Sequence, residues 1–281
     1  MIDVNTKLLG LIGYPLKHSF SPKMHNYAYL KNNLNYAYIP LEIEEDKIKN
    51  VLNSLKALGF IGFNVTIPYK VKIMEYLDDI DELAHKIGSV NTVKIMNGKL
   101  KGYNTDGLGF IKSLENKDIK IKRSKVLVIG AGGASRAVSI SLCSRGVEKL
   151  YITNRTYKKA EKLSKEINSK VRKCSSSFKF DEVGKILKEI DIIVNTTSVG
   201  MKPHINETPI KTDNIMKKTD IVDIVYNPSK TKLIKETEKK GCRVVNGIDM
   251  LVYQGSEAFK IWTELESPVD DMKISLEKFL I

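Results

Sequence analysis

The stretch from Lys125 to Leu142 constrains the fold of this chain more than any other. Five strand-type residues, Lys125-Val126-Leu127-Val128-Ile129, run directly into Gly130-Ala131-Gly132-Gly133-Ala134-Ser135-Arg136-Ala137. The apolar, helix-type segment Val138-Ser139-Ile140-Ser141-Leu142 follows. A strand that turns through glycines into a helix lets the backbone close on a pyrophosphate and presents unpaired N–H groups to it. Ala134 stands where a third glycine would complete the dinucleotide fingerprint. On this segment alone, a plain strand-to-helix turn therefore competes with a nucleotide loop.

The rest of the chain repeats the same alternation. Strands are expected at Lys7–Gly13, Tyr36–Glu42 and 60–66. Helices are expected at 21–34, with Ser21 as the cap and Pro22 in the first turn, and at 45–58, ended by Gly59. Residues 68–77 and 81–87 read as helical, and Asn97-Gly98 marks a hairpin between 89–96 and 99–104. After Lys125–Ile129 come strands at 149–154, 191–198, 219–226 and 242–246, with helices at 157–167 and 231–240. Two last helices, 250–265 and 269–280, have no strand after them and are expected to return to the first domain. The pattern predicts an α/β protein of two α/β domains. A substrate-binding, catalytic domain with a mostly parallel sheet takes 1–105 plus 248–281, and a Rossmann-type doubly wound nucleotide domain takes 106–247.

A length of 281 residues suits two such domains, and 42% hydrophobic with 28% charged residues is ordinary for a globular protein. No run approaches the ~18 apolar residues of a membrane span, and the N-terminus has no signal-peptide pattern. The expected location is the cytoplasm, with no membrane partner. Cys143, Cys174 and Cys242 are odd in number and widely spaced, which fits a reducing compartment. Neither they nor His18, His25, His85 and His204 have metal-ligand spacing, so no metal is expected. The net charge of +13 comes from 40 lysines against six arginines without a clustered block, so no specific nucleic-acid partner is expected. A small-molecule substrate is, in a monomer or homodimer.

The end of the second strand of the later domain sharpens the nucleotide hypothesis. NAD-binding sheets place an acid there to grip the ribose diol, whereas a basic residue accommodates the 2′-phosphate of NADP. Here the chain reads Asn154-Arg155-Thr156, with Lys158 and Lys159 close behind. A planar guanidinium suits a phosphate, so Arg155 favours NADP over NAD. Lys158 is equally well explained as a solvated surface charge.

In the first domain, polar groups gather at strand ends. Ser19 and Ser21 follow the first strand and could hold a carboxylate, although a helix cap explains Ser21 equally well. Thr66 and Lys70 follow the third strand, Asn91 opens the hairpin, and Asp106 comes after it, where a helix N-cap is its plainer role. Lys70 lies just past Pro68, with a restrained backbone and a head able to reach a bound ketone. It can give a proton, or a positive charge, to a developing alkoxide, help worth about 10²–10⁴-fold.

Six segments occur in the order, and near the spacing, of the shikimate dehydrogenase family. They are H-S-x-S-P, N-V-T-x-P-x-K, G-x-N-T-D-G, G-A-G-G-A, N-R-T and M-L-V-x-Q. The resemblance runs from Gly13 to about Gln254, and the ordered set is far more specific than any one motif. It implies NADPH-dependent reduction of 3-dehydroshikimate to shikimate, on the way to chorismate and the aromatic amino acids. It further implies that Ser19 and Ser21 bind the substrate carboxylate. Thr66, Asn91 and Gln254 would bond substrate hydroxyls, with Tyr226 nearby, and Lys70 and Asp106 would form the catalytic pair. Gly130, Ala131, Gly132, Gly133 and Ala134 match the pyrophosphate loop, and Asn154, Arg155, Thr156 and Lys159 the adenosine-phosphate site. Ile224 and Gly247 match backbone contacts to the nicotinamide half, and Glu82 a further cofactor contact. A cleft is expected to bring the glycine loop opposite Lys70 and Asp106. The alternatives are an NAD-preferring quinate/shikimate dehydrogenase and, from another class, a non-catalytic dinucleotide sensor. Arg155 and the Ser19/Ser21 pair lean against the first, and the presence of Lys70 and Asp106 against the second.

Overall fold

The structure, a computed structural model, describes residues 2–17 and 19–279. The chain separates into two compact units, Met1–Asp106 with Val252–Phe279, and Gly107–Leu251.

The first unit is built on a six-stranded sheet. In chain order it carries β1 (Lys7–Gly13), α1 (Ser21–Lys31), β2 (Tyr36–Glu42), α2 (Ile48–Ala57), β3 (Phe60–Val65), β4 (Asp79–Ile80), α3 (Glu82–Ile87), β5 (Thr92–Met96) and β6 (Lys99–Tyr103). α4 (Asp106–Glu115) begins at its edge. The strand order is β2-β1-β3-β5-β6-β4. β1 is parallel to β2 and β3, and β4 to β6, while β5 runs antiparallel between β3 and β6. That reversal follows from Asn97-Gly98, whose φ angles of 51° and 72° are the left-handed pair a two-residue turn requires. Ile12, Phe63, Val65, Ile73, Val90 and Val93 are fully shielded in the core on this sheet.

Two local expectations are corrected. Ser21 is the first residue of α1 and not its cap; Phe20 holds the cap position, and its own side chain makes no cap hydrogen bond. The Phe20 carbonyl accepts the Met24 N–H at 3.0 Å, which starts the helix one residue early. Pro22 is tolerated there because the first-turn N–H groups have no helical acceptor in any case. Residues 68–77 are not a full helix but a loop with a short 3-10 turn at Lys72–Tyr76. The Lys70 carbonyl accepts the Val90 N–H at 2.7 Å, so the strand-end loop is tied to the segment before β5.

The second unit contains β7 (Lys125–Ile129), α5 (Gly133–Ser144), β8 (Lys149–Thr153), α6 (Tyr157–Lys170), β9 (Ser175–Phe178), β10 (Ile192–Asn195), β11 (Asp220–Asp223), α7 (Lys232–Lys239) and β12 (Val244–Val245). Every pairing is parallel, in the order β12-β11-β10-β7-β8-β9, the doubly wound arrangement. Helices cover both faces, so β7 and β10 read as nearly continuous apolar runs. The edge strand β9 carries no such signal, because Ser175-Ser176-Ser177 is polar. Pairing with β8 and the Asn168 side chain, which donates to the Ser175 carbonyl at 2.8 Å and accepts its N–H at 2.9 Å, hold it extended.

Of the last helices, α8 (Gly247–Thr263) belongs to the first unit from Val252 on, and α9 (Val269–Phe279) belongs to it entirely. From α8 the Trp262 indole donates to the Val93 carbonyl at 2.9 Å. α9 lies on α1, and Asp271 accepts from Asn32 at 2.9 Å.

Two buried titrating groups act on stability with opposite signs. His25 stacks on Tyr38 and is wholly buried, so desolvation pushes its pKa down from 6.5 to about 3. Its contribution is present above pH 6.5 and is lost as pH falls, up to about 5 kcal/mol. In the other unit, burial pushes the Asp223 carboxyl up from 3.8 to about 6. Its folded form holds a proton that the unfolded chain has released, so stability is gained as pH falls through 6 and is lost as pH rises. That gain is about 3 kcal/mol in full. Asp223→Asn should therefore trail the wild type by about 2 kcal/mol more at pH 4 than at pH 7. Denaturant melts at the two pH values measure this, and an unchanged gap would refute it.

Candidate active site

The hairpin and the tied loop together assemble a polar cluster in the first unit. Asn91 precedes β5, and its backbone N–H donates to the Tyr103 carbonyl at 3.1 Å, which sets it opposite the end of β6. Its side-chain carbonyl accepts the Thr105 N–H at 2.7 Å, fixing the turn into α4. Asp106 opens that helix, and the Val90–Lys70 backbone bond brings Lys70 alongside. The Lys70 ammonium donates to Asp106 Oδ2 at 2.6 Å, with the two side chains only 16% and 7% exposed. Asn91 Nδ2 donates to Asp106 Oδ1 and Thr105 Oγ1 at 2.9 Å each, and reaches Gln254 Oε1 of α8 at 3.4 Å.

Lys70, Asn91, Asp106 and Gln254 thus form one hydrogen-bonded group. The carboxylate has one oxygen on the ammonium and the other on an amide, which leaves the lysine one fixed counter-charge in a shielded place. Asp106 acts as an ion-pair partner, beyond the helix-cap role that its position alone suggests.

Thr66 lies at the end of β3, its N–H bonded to the Ile12 carbonyl at 2.8 Å. Gly13 ends β1 beside it; a Cβ there would sit 2.4 Å from the Thr66 methyl, so only glycine lets the loop after β1 settle on Thr66. That loop carries Ser19, whose Oγ accepts the Ser21 N–H at 3.4 Å. Ser19, Ser21 and Thr66 therefore follow the carboxyl ends of parallel strands, where α/β sheets bind ligands. His18 of the H-S-x-S-P segment lies outside the described residues. Glu82 starts α3, exposed and paired with Lys86.

Sequence reasoning missed the scaffold beneath this cluster. Asn64 is buried; its amide donates to the Asn91 carbonyl and Thr92 Oγ1 at 3.0 Å, and its oxygen accepts the Tyr38 hydroxyl at 2.7 Å. An asparagine inside the apolar run of β3 was the available signal.

In the second unit, Gly130 takes φ +121°, and a Cβ there would lie 2.4 Å from Thr196 Oγ1. Its N–H donates to the Thr153 carbonyl at 2.8 Å, and its carbonyl accepts Ser135 Oγ at 2.7 Å. At Gly132 nothing lies within 4 Å of a built Cβ, and no side chain caps α5. The loop is thus bent by Gly130 and open at Gly132, which fits a pyrophosphate against the helix start. After β8, Asn154 Nδ2 donates to the Thr156 carbonyl at 3.0 Å and shapes the turn. Arg155, Thr156 and Lys159 are exposed, and among the described residues no carboxylate pairs with Arg155 or Lys159. Two unneutralised cations beside the turn fit a 2′-phosphate.

Ile224 and Gly247, far apart in sequence, meet through their backbones: a Cβ on Gly247 would stand 2.1 Å from the Ile224 carbonyl oxygen. Asp223 anchors that loop, accepting Asn195 Nδ2 at 2.9 Å, the Val225 N–H at 3.0 Å and the Thr231 hydroxyl at 2.7 Å. Tyr226 follows, its hydroxyl pKa raised by burial. Among the described residues no helix is long and apolar enough to cross a membrane.

Fold and side chains place the chain among the α/β oxidoreductases that use a pyridine dinucleotide. Three family profiles match it in order: the shikimate dehydrogenase substrate binding domain over residues 11–93, shikimate / quinate 5-dehydrogenase over 113–238, and the shikimate 5′-dehydrogenase C-terminal domain over 247–276. The chain belongs to the shikimate dehydrogenase family. It is 46% identical over 275 residues to the shikimate dehydrogenase (NADP(+)) of Methanocaldococcus jannaschii, spanning 97% of both chains. A crystal structure of shikimate dehydrogenase in complex with NADP+ superposes with a TM-score of 0.95 at 43% identity, covering 100% of this chain and 98% of the other. The shikimate 5-dehydrogenase of Listeria monocytogenes, in complex with shikimate and NAD, gives 0.91 at 38% identity over 100% and 98%.

Proposed function

We propose that this protein reversibly reduces 3-dehydroshikimate to shikimate with NADPH, as a cytoplasmic enzyme of the route to chorismate and the aromatic amino acids. The observation that carries the reading is the shielded Lys70–Asp106 pair bonded to Asn91 and Gln254. NADPH held on the 130–134 loop would supply the hydride. As the substrate carbonyl oxygen gains charge, the Lys70 ammonium bonds to it and provides the proton, which leaves a hydroxyl. Asp106 holds the ammonium at that place, and Asn91 holds Asp106. A cation placed beforehand where charge develops needs no reorganisation during the reaction, the most effective form of electrostatic help.

Ser19 and Ser21 take the substrate carboxylate, and Thr66, Asn91, Gln254 and Tyr226 its hydroxyls. The backbone of Gly130, Ala131, Gly132, Gly133 and Ala134 receives the pyrophosphate, and Asn154, Arg155, Thr156 and Lys159 the adenosine phosphate. The Ile224 and Gly247 backbones orient the nicotinamide half, with Glu82 as a further cofactor contact.

Absorbance at the reduced-nicotinamide band tests the reading. Shikimate with NADP+ is expected to give the highest kcat/KM, above quinate with NADP+ and shikimate with NAD+. A preference for quinate with NAD+ would reassign the substrate, and no turnover with any pair would leave a dinucleotide-binding protein without catalysis.

A further inference from the structure

Two cysteines 31 positions apart meet in the second unit. Cys143 sits one residue before the end of α5, and Cys174 immediately before β9; their sulfurs are 2.9 Å apart and both thiols are free. The Cys174 backbone is pinned on both sides. Its N–H donates to the Arg172 carbonyl at 2.9 Å and to Asn168 Oδ1 at 3.1 Å, and its carbonyl accepts the Leu150 N–H at 2.9 Å. Its position opposite Cys143 is therefore set by β8, α6 and the turn at Arg172 together. Cys143 is 1% exposed, whereas Cys174 is partly open to solvent. The third cysteine, Cys242, is buried before β12, at the opposite edge of the sheet from β9.

We propose that Cys143 and Cys174 are a reversible oxidation site, in which a peroxide converts the pair to an intramolecular disulfide that staples α5 to the edge of the sheet.

The chemistry suits the two environments. The bond from Cys143, helped by the positive Arg172, holds the Cys174 thiol down at about 7, so the more exposed sulfur is also the more ionised. The same bond, together with burial, pushes the Cys143 thiol up and keeps it protonated. The Cys174 thiolate attacks one peroxide oxygen, the O–O bond breaks, and the departing hydroxide takes a proton to become water. Cys174 is left as a sulfenic acid. Cys143 then loses its proton as its sulfur attacks the Cys174 sulfur; the S–S bond forms, the S–O bond breaks and a second water leaves. Two thiols have lost two electrons, and the peroxide has been reduced to two waters. An external thiol reverses the step by exchange.

The staple closes a loop that the folded chain already holds closed, so its main effect is to restrict the unfolded chain. Cys143 stands at the opposite end of α5 from Gly130 and Gly132, so turnover is expected to be unaffected.

The test treats the full-length folded protein with a small excess of hydrogen peroxide, then alkylates it in denaturant. Untreated protein should take three alkyl groups. Treated protein should take one, on Cys242, with an intact mass lower by two hydrogens, a higher melting midpoint and unchanged kcat. Dithiothreitol should restore all three thiols. Cys174→Ser should keep both remaining thiols alkylatable under the same treatment, whereas Cys143→Ala should form no disulfide and stop at a Cys174 sulfenic acid that dithiothreitol returns to the thiol. Three alkylatable thiols in the treated wild type, a sulfinic acid on Cys174, or a disulfide between two copies would each overturn the proposal. All of these readouts are independent of the substrate assignment.

Discussion

Lys70→Ala should lower kcat and kcat/KM together, by about 10²–10⁴-fold, and leave the KM for shikimate comparatively unchanged. The expectation follows from the geometry. The ammonium is bonded to Asp106 Oδ2 at 2.6 Å in a shielded place, and nothing else in the polar cluster carries a positive charge. A group that stabilises charge developing only during reduction lowers the barrier without tightening ground-state binding. Asp106→Asn should act in the same direction, since it releases the lysine from its anchor while retaining the size of the side chain. The double variant should lose less than the product of the two single losses, because the groups work as a unit. Breaking a partly buried pair also costs stability, on the order of 1–3 kcal/mol for the partner left behind. The kinetics must therefore be measured below the melting range, on protein whose circular dichroism matches the wild type. If Lys70→Ala keeps a wild-type kcat, the lysine is structural and the assignment fails.

Arg155→Asp should raise the KM for NADP+ on the order of 10²-fold and change the KM for NAD+ little. Arg155 is exposed at the turn after β8 with no carboxylate partner among the described residues, and Asn154 fixes the turn that presents it. A charge-assisted bond to a phosphate contributes about 1.5–3 kcal/mol. Replacing the cation by an anion removes that bond and adds repulsion of the phosphate, whereas a ribose diol can accept the aspartate. Lys159 retains part of the attraction, so Arg155→Asp combined with Lys159→Ala should lose more. Titration of each dinucleotide by quenching of protein fluorescence gives the same comparison without turnover. Equal efficiency of the wild type with NAD+ and NADP+ would show that this strand end does not select the cofactor.

Much of the fold was legible because burial on both faces leaves a mark in the sequence. β7 and β10 are nearly continuous apolar runs, β8 and β11 have apolar centres between polar ends, and Asn97-Gly98 announces the β5–β6 hairpin. β9 was illegible, since an edge strand of serines is held by its neighbour and by Asn168 and not by its own hydrophobicity. The same limit applies to residues 68–77, where a hydrogen bond from Val90 outweighs local helical tendency.

The site divides in the same way. The family resemblance already paired Lys70 with Asp106, and Asn91 and Gln254 could be named from their motifs, but the hydrogen bonds that join all four into one group could not be read from the sequence. It depends on the antiparallel pairing that sets Asn91 against Tyr103 and on the return of α8 to the first unit. The cysteines are the clearest case, because spacing along the chain suggested three unrelated thiols.

The sequence by itself determined the doubly wound α/β unit, the glycine loop and the residue types available for hydride-transfer chemistry, because periodicity and short motifs are local properties. Only the tertiary structure decided which polar groups meet. Val90 ties to Lys70, Ile224 approaches Gly247 and Cys143 faces Cys174 because distant strands and helices are held a few ångströms apart by a shared core. Hydrogen bonds act only over that range, so their partners are set once the core has closed.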